Sequence, residues 1–174
     1  MLETTRDRSK ATKIAILGYG NDLRGDDGAG PQVARMFADR ALPGVQSLAL
    51  HQLTPDLAQI LSEVELAIFV DAYPVELNSS ISPDVQWHRL VPQSSTLTSN
   101  HSSNPAQLLE LARFLYDSYP TAWLVAIPAT NFEFGEVFSP VTRRGVDRAV
   151  GAIARLLKCE LENEAFNPSQ SPNL

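Results

Sequence analysis

The sequence predicts an α/β fold in which a mainly parallel sheet is covered by helices on both faces. Short apolar runs alternate along the chain with segments whose apolar residues recur at helical spacing. Such alternation is typical of parallel sheets, because a crossover helix must carry the chain back to the edge where the next strand starts. The apolar runs are nearly continuous, as expected for strands buried on both faces.

The first half of the chain predicts three strands and two helices. The strands are the apolar runs Lys13–Leu17, Val45–Leu50 and Leu66–Val70. The first helix has an apolar face of residues at i, i+3, i+4 and i+8, namely Val33, Met36, Phe37 and Ala41. Pro31 is tolerated in its first turn. A short second helix is predicted over Pro55–Leu61, with Thr54 as its N-cap.

The second half predicts two more strands and two more helices. Val85–Leu90 is predicted as an edge strand, and Trp123–Ile127 as a buried strand stopped by Pro128. Between them, Pro92–Ser103 is polar and predicts an exposed loop. Each helix is predicted to begin at an N-cap residue followed by proline. These pairs are Asn104-Pro105 and Ser139-Pro140. The apolar faces of the two helices are Leu108, Leu111, Ala112 and Leu115, and then Val146, Ala149, Val150, Ile153 and Leu157.

Length and composition predict one domain with a core of ordinary size. The chain has 174 residues, of which 44% are apolar and 20% are charged. We assign residues 1–160 to this domain and predict a disordered tail over residues 161–174, which hold few core-forming side chains.

Several classes of protein are disfavoured by the same composition. The net charge of -6 argues against a nucleic-acid partner. No apolar stretch approaches the ~18 residues of a membrane helix, and the N-terminus is polar where a signal peptide is apolar. We therefore predict a cytoplasmic protein without a membrane partner. Cys159 is the single cysteine, which excludes an internal disulfide and a cysteine-based metal cluster.

The glycine-rich segment Gly18–Gly30 directly follows the first predicted strand, and ligands in parallel sheets bind beyond the carboxyl ends of the strands. It imitates a dinucleotide fingerprint, but Leu23 stands where that motif needs glycine. Asp26 and Asp27 lie where a pyrophosphate needs backbone donors without negative charge. A simpler interpretation is a strand-to-helix turn with an aspartate at the helix N-terminus.

Four further residues are candidates for chemistry. Asp71 and His51 each follow a predicted strand, and His101 lies in the polar loop before Asn104. His88 falls inside the predicted edge strand and is interpreted as an ordinary strand residue. Asp27, Asp71 and His101 would meet at one edge of the sheet, where two carboxylates and an imidazole suit a divalent metal that polarises a water.

The segment Gly18–Gly30 resembles the opening block of the [NiFe]-hydrogenase maturation endopeptidases. The family pattern is roughly G-x-G-N-x-L-x-x-D-(D/E)-x-x-G, and GYGNDLRGDDGAG matches it at every fixed position. The later family blocks are resembled in order by Leu66–Ala72, by Asn100-His101 before a leucine-rich helix, and by Ala126–Pro128 with Phe138–Pro140. The resemblance covers about residues 12–158.

The resemblance implies an endopeptidase that removes a C-terminal extension from the precursor of a [NiFe]-hydrogenase large subunit after nickel insertion. It also implies a three-layer α/β/α sandwich with a twisted five-stranded sheet, in which Val85–Leu90 is the antiparallel strand. By motif, the metal-contacting residues are Asp27, where the family often has glutamate, Asp71 and His101. The nickel is supplied by the substrate, and we expect no permanently bound cofactor.

One segment departs from the family pattern. Many members follow the second strand with Asp-Gly-Gly-Thr, whereas this chain has HQLTP at residues 51–55. That segment resembles the subgroup serving bidirectional, NAD-coupled hydrogenases. It makes His51 a candidate proton acceptor or ligand, although His51 could equally serve only to hold the turn.

Two other functions remain alternatives to this interpretation. One is a metal-dependent peptidase or amidase that carries its own zinc. The other is a non-catalytic module that binds a nucleotide at the glycine turn. The common hydrolase motifs HExxH and GxSxG and the P-loop are absent from the sequence.

Overall fold

The computed structural model describes residues 13–76, 83–93 and 104–165. Within these ranges, the strands are β1 (Ile14–Tyr19), β2 (Val45–Leu50), β3 (Leu66–Pro74), β4 (Gln86–Leu90) and β5 (Thr121–Ala129). The helices are α1 (Ala29–Ala38), α2 (Leu57–Glu63), α3 (Pro105–Tyr116) and α4 (Pro140–Ala165). A 3-10 turn, Gly25–Gly28, precedes α1.

The five strands form one sheet in the order β2-β1-β3-β5-β4. Three of the four pairings are parallel, and only β4 runs antiparallel to its neighbour β5 at the edge. The predicted mostly parallel five-stranded sheet with one antiparallel strand is therefore confirmed. The predicted edge strand over Val85–Leu90 is also confirmed, starting one residue later at Gln86.

Each face of the sheet carries its own buried core, which confirms the three-layer arrangement. On one face, β1, β3 and β5 pack against α1 and α4, with Ile16, Ile68 and Phe37 fully buried. On the other face they pack against α2 and α3, around Leu17, Phe69 and other buried residues. Burying one such side chain contributes about 1.5–3 kcal/mol. No helix in the described ranges is long and apolar enough to cross a bilayer.

Three strand ends lie further along the chain than predicted. β1 continues through Gly18 to Tyr19, and β3 continues through Asp71 to Pro74. Asp71 therefore lies within a strand and does not close it, because β5 pairs with β3 as far as Pro74. Pro128 does not stop β5. It lies beyond Ala126, the last residue of β5 that β4 pairs with, so its missing N–H interrupts no ladder on that side.

The helix starts confirm two of the three predicted N-caps. Asn104 forms a capping box with Gln107 at the start of α3. At the start of α4, the Ser139 Oγ accepts a bond from the Thr142 N–H. The prediction for α2 is wrong, because the helix begins at Leu57 after a turn and Thr54 contributes only its carbonyl oxygen, which accepts from Leu57.

The end of α4 changes the predicted tail boundary. The helix runs to Ala165, so residues 161–165, predicted as the start of a disordered tail, are helical. Residues 166–174 lie outside the described residues, as do residues 94–103 of the predicted polar loop.

Candidate functional site

The candidate site lies where the chain reverses its direction across the sheet. From β1 the chain passes to β2 on one side, and it then returns to β3 on the other side of β1. The crevice at the carboxyl ends of β1 and β3 is thus the topological switch point, where such folds bind ligands. β1 pairs with β3 only as far as Gly18 and Val70, so the next residue of β3, Asp71, has lost its neighbour on that side.

Asp71 is held by two hydrogen bonds. Its Oδ1 accepts from the Ala72 N–H at 2.8 Å, and its carboxylate also accepts from the Tyr19 hydroxyl. Side chains alternate between the faces of a sheet, and Tyr19 packs with the core beneath α2 and α3. Asp71 has the parity of Phe69, which belongs to that same core. The carboxylate therefore lies on the α2–α3 side of the sheet.

Burial, together with the nearby negative charge of Asp27, raises the pKa of Asp71 to about 6. The hydrogen bonds from Tyr19 and Ala72 act in the opposite direction, but they do not offset the burial. Burial and the Asp71 carboxylate together raise the pKa of Tyr19, so the phenol stays protonated and donates. Asp27 and Asp71 are close enough to repel each other, and a cation between them would relieve that repulsion.

Asp27 is positioned by the glycine-rich turn. Its Oδ2 accepts from the Asn21 N–H at 2.8 Å. Gly20 has φ +143°, and a Cβ at this position would collide with the Asp27 carbonyl oxygen. Glycine at residue 20 therefore lets the chain after β1 fold back onto Asp27.

The neighbouring Asp26 has a different environment. It is fully buried, and its Oδ2 accepts from the Thr130 and Asn131 N–H groups at 2.8 Å each. Its Oδ1 accepts from the Ser139 N–H at 2.7 Å. Burial raises the pKa of Asp26, but these hydrogen bonds outweigh it and hold the pKa below its ordinary value. Asp26 is thus a structural anion, and of the two adjacent acids only Asp27 faces Asp71.

The three histidines have different positions relative to these carboxylates. His51 is exposed and directly follows Leu50, which pairs with Tyr19 across the sheet. Among the described residues, no hydrogen bond or ion pair joins His51 to Asp27 or Asp71. His88 is an exposed residue of β4 beside Gln86, as predicted. His101 lies outside the described residues.

Within the described ranges, no three histidine, cysteine or acidic residues are grouped closely enough to hold a metal ion. The two carboxylates supply oxygen ligands, and a third ligand would have to come from elsewhere. Cys159 is an exposed residue of α4, and Leu157 two residues before it belongs to the core beneath α1 and α4, on the face opposite Asp71.

Sequence reasoning missed the parts played by Tyr19 and Asp26. The alternation of β1 could have assigned Tyr19 to the same face as Leu17, had the strand been extended past Gly18. Asp26 gave no local signal, because its partners lie 104 to 113 residues away along the chain.

Hydrogenase maturation proteases are among the solved structures that share this architecture. The [NiFe] hydrogenase maturation protease HycI from Thermococcus kodakarensis superposes with a TM-score of 0.63 at 23% identity, over 86% of this chain and 95% of that one. HybD from the same organism gives 0.61 at 22% identity, over 83% and 98%. The hydrogenase maturating endopeptidase HybD from E. coli gives 0.65 at 19% identity, over 85% and 93%.

The chain shares the fold of these proteases. The identities are low, so the similarity establishes the fold alone. No protein-family model matches the sequence. No curated protein sequence matches it significantly either.

Asp71→Asn is expected to stabilise the protein at pH 8 by about 1–3 kcal/mol. The pKa of Asp71 is raised from 3.8 to about 6, so the folded protein loses stability as the pH rises between these values. Asparagine removes that charge, and its amide can still bond Tyr19 and Ala72. Urea unfolding at pH 8 and pH 4 measures the effect, which should vanish at pH 4. The exposed Asp56→Asn is the control, and equal stability of Asp71→Asn and wild type at pH 8 would contradict the prediction.

Asp26→Asn is expected to destabilise the protein by about 2–3 kcal/mol, because the new amide group must face backbone donors inside the protein. The pKa of Asp26 is lowered, so its contribution is complete above about pH 4 and is lost as the pH falls further. Between pH 4 and pH 3, the free energy of unfolding of the variant should therefore fall less than that of the wild type. Urea unfolding from pH 3 to pH 7 measures this, with the exposed Asp39→Asn as control. Wild-type stability of the variant at pH 7 would show that Asp26 does not stabilise the fold.

Proposed function

We propose that this protein is an endopeptidase that removes the C-terminal extension from the precursor of a [NiFe]-hydrogenase large subunit after nickel insertion. The observation that carries the proposal is the pair Asp27 and Asp71 at the switch point. Two adjacent carboxylates, one with a pKa raised to about 6, are an arrangement that a bound cation stabilises. The fold shared with the maturation proteases of Thermococcus kodakarensis and E. coli supports the reaction and the substrate.

In this proposal the nickel belongs to the substrate. Asp27, Asp71 and His101 bind it, and binding places the scissile peptide bond beside the two carboxylates. His101 lies three residues before Asn104, the N-cap of α3, and α3 covers the face of the sheet that Asp71 occupies. Carboxylate oxygens and imidazole are suitable ligands for a divalent transition metal. The attacking water would give its proton to a carboxylate, or the metal would lower the pKa of a bound water so that its proton passes to solvent.

Three ligands from separate segments of the chain suit a metal that is delivered by the substrate. We therefore expect no resident cofactor. A peptidase or amidase with its own zinc is the alternative, and metal analysis of the purified protein separates the two.

The nucleotide-binding alternative is disfavoured by the hydrogen bonds of the glycine turn. A phosphate needs free backbone N–H groups. Here the Asn21 N–H is bonded to Asp27, the Gly25 N–H to the Gly135 carbonyl oxygen, and the Asp26 N–H to the Asn131 carbonyl oxygen. The donors that would cradle a pyrophosphate are already satisfied by the protein.

The segment HQLTP at residues 51–55 supports a substrate from the bidirectional, NAD-coupled hydrogenases, and we propose a cytoplasmic location. We also propose His51 as an assisting proton acceptor or ligand. Its support is its position: it directly follows Leu50, whose partner Tyr19 bonds Asp71. The buried Leu53 then anchors this segment to the core beneath α2 and α3.

The purified protein is expected to shorten a nickel-loaded large-subunit precursor and to leave the metal-free precursor intact. Asp27→Ala, Asp71→Ala and His101→Ala should each abolish the cleavage, because each removes a ligand to the nickel. Mass spectrometry of the precursor measures the cleavage, and circular dichroism with a thermal melt checks the fold. Cleavage of the metal-free precursor at the same rate would favour a zinc held by the enzyme. Full processing by one variant would exclude that residue from the site.

His51→Gln is expected to slow processing by about 10²-fold, the usual scale for losing general-base assistance. Glutamine keeps a donor and an acceptor but does not titrate near neutral pH. The neighbouring Gln52→Ala is the control, because it changes the same exposed segment without touching the imidazole. Single-turnover rates across pH 5–9 measure the effect. An unchanged rate and pH profile, together with a shifted melting temperature, would assign His51 to the turn alone.

A further inference from the structure

Three exposed apolar side chains lie beside the candidate site. Leu23, Phe134 and Val137 have exposed fractions of 49%, 84% and 72%. We refer to them as the apolar rim. We propose that the apolar rim, with the groove next to it, docks an apolar segment of the precursor that carries a basic residue. This inference rests on the proposed function and adds a binding surface to it.

The apolar rim lies on two loops that are hydrogen-bonded to each other. The first, between β1 and α1, carries Leu23, and the second, between β5 and α4, carries Phe134 and Val137. The Gly135 N–H donates to the Leu23 carbonyl oxygen at 2.9 Å, and the Gly25 N–H donates to the Gly135 carbonyl oxygen at 2.6 Å. Arg24 and Gly135 also form an isolated parallel bridge. Phe134 and Leu23 thus flank a shared backbone contact, and they form one surface and not two separate loop tips.

The same loops are tied to the protein interior. Asp26 accepts from the N–H groups of Thr130 and Asn131 at one end of the second loop and of Ser139 at the other end. The loop between these residues is therefore fixed at both ends by a buried carboxylate. A surface held in this way loses little conformational entropy when a partner binds.

A groove of about 400 Å³ adjoins the apolar rim, and its lining includes Gly28, Phe138, Gln32 and Glu136. A Cβ at Gly28 would stand 3.2 Å from Asp22 atoms and 3.6 Å from the Phe138 ring, so this glycine keeps the groove open. Gly28 directly follows Asp27. The wall of the groove and the proposed metal-binding acid therefore belong to the same turn.

The charges around the groove select the partner. Arg35 is neutralised by Asp22, which accepts from its two terminal nitrogens at 2.6 and 3.1 Å. Among the described residues, Glu136 takes part in no ion pair, and the exposed Glu133 lies on the same loop. The surface therefore joins exposed apolar side chains to two carboxylates, Glu133 and Glu136. It also includes a cation, Arg24, whose Nε donates to the Phe132 carbonyl oxygen at 3.3 Å. Its complement is a segment with apolar side chains beside a lysine or arginine.

A second group of exposed apolar residues supplies the control. Phe114 is 80% exposed and Leu115 is 55% exposed, near the C-terminal end of α3. This end precedes β5 and so lies at the edge of the sheet opposite the glycine turn. Phe114 matches Phe134 in residue type and exposure but lies far from the site.

The test compares Phe134→Ser/Val137→Ser with Phe114→Ser, using wild type and the nickel-loaded precursor. The rim variant is expected to raise KM about tenfold or more and to leave kcat within about twofold, because docking energy is lost without a change at the reacting bond. Phe114→Ser should match wild type. Glu136→Gln should raise KM less, and its effect should shrink at high salt. Thermal melts check the fold, and Phe134→Ala is the milder variant if the double variant melts early.

The outcomes separate this inference from the proposed function. If wild type processes the precursor and the rim variants do so with unchanged KM, the docking surface is overturned and the proposed function stands. A fall in kcat with unchanged KM also overturns docking. If wild type neither binds nor cleaves the nickel-loaded precursor, the proposed function fails and the docking inference fails with it.

Discussion

The buried carboxylate of Asp26 is the interaction on which the geometry of this site depends. It joins the glycine turn after β1 to the start and the end of the loop between β5 and α4. The turn depends on hydrogen bonds such as these, because its glycines supply no side chains for packing. With Asp26 satisfied by backbone donors, the next residue, Asp27, is directed toward Asp71. The same hydrogen bonds also fix the loop that carries Phe134 and Val137. One buried carboxylate therefore positions both the proposed metal-binding residue and the proposed docking surface.

The pKa values of Asp26 and Asp71 are shifted in opposite directions. Asp26 is fully buried, yet its pKa is lowered, since each of its oxygens accepts hydrogen bonds from backbone N–H groups that stabilise the anion. At Asp71, burial and the negative charge of Asp27 outweigh the two hydrogen bonds and raise the pKa to about 6. The difference follows from the balance between desolvation and hydrogen-bond donors at each carboxylate. The charged form of Asp71 is therefore unfavourable without a bound cation. Such perturbed groups are common where a site is arranged for a partner.

The features predicted correctly from sequence are those set by neighbours along the chain. Apolar periodicity gave each helix and strand, and the Asn104-Pro105 pair gave the start of α3. The errors in the strands arose where a distant partner decides the outcome. β5 extends β3 past Asp71, and β4 ends before Pro128, so the missing N–H of that proline interrupts no ladder there. The error at α2 is local, because the carbonyl oxygen of Thr54, and not its side chain, bonds the start of the helix. The local pattern left Asp26 and Asp27 interchangeable, and only the family resemblance selected Asp27, because the donors that distinguish them come from Thr130, Asn131 and Ser139.

Under the proposed function, the repulsion between Asp27 and Asp71 gives a physical reason for coupling recognition to nickel. Asp27 and Asp71 repel each other, and the phenol of Tyr19 donates to Asp71 without supplying positive charge. A divalent ion bound between them would replace repulsion by attraction, so this part of the binding energy would appear only when the ion is present. A precursor without nickel offers the protein its apolar and basic contacts but leaves the carboxylates unsatisfied. The affinity for a loaded precursor then exceeds that for an empty one by the electrostatic term alone, which is how a protease built on this site would act only after metal insertion is complete.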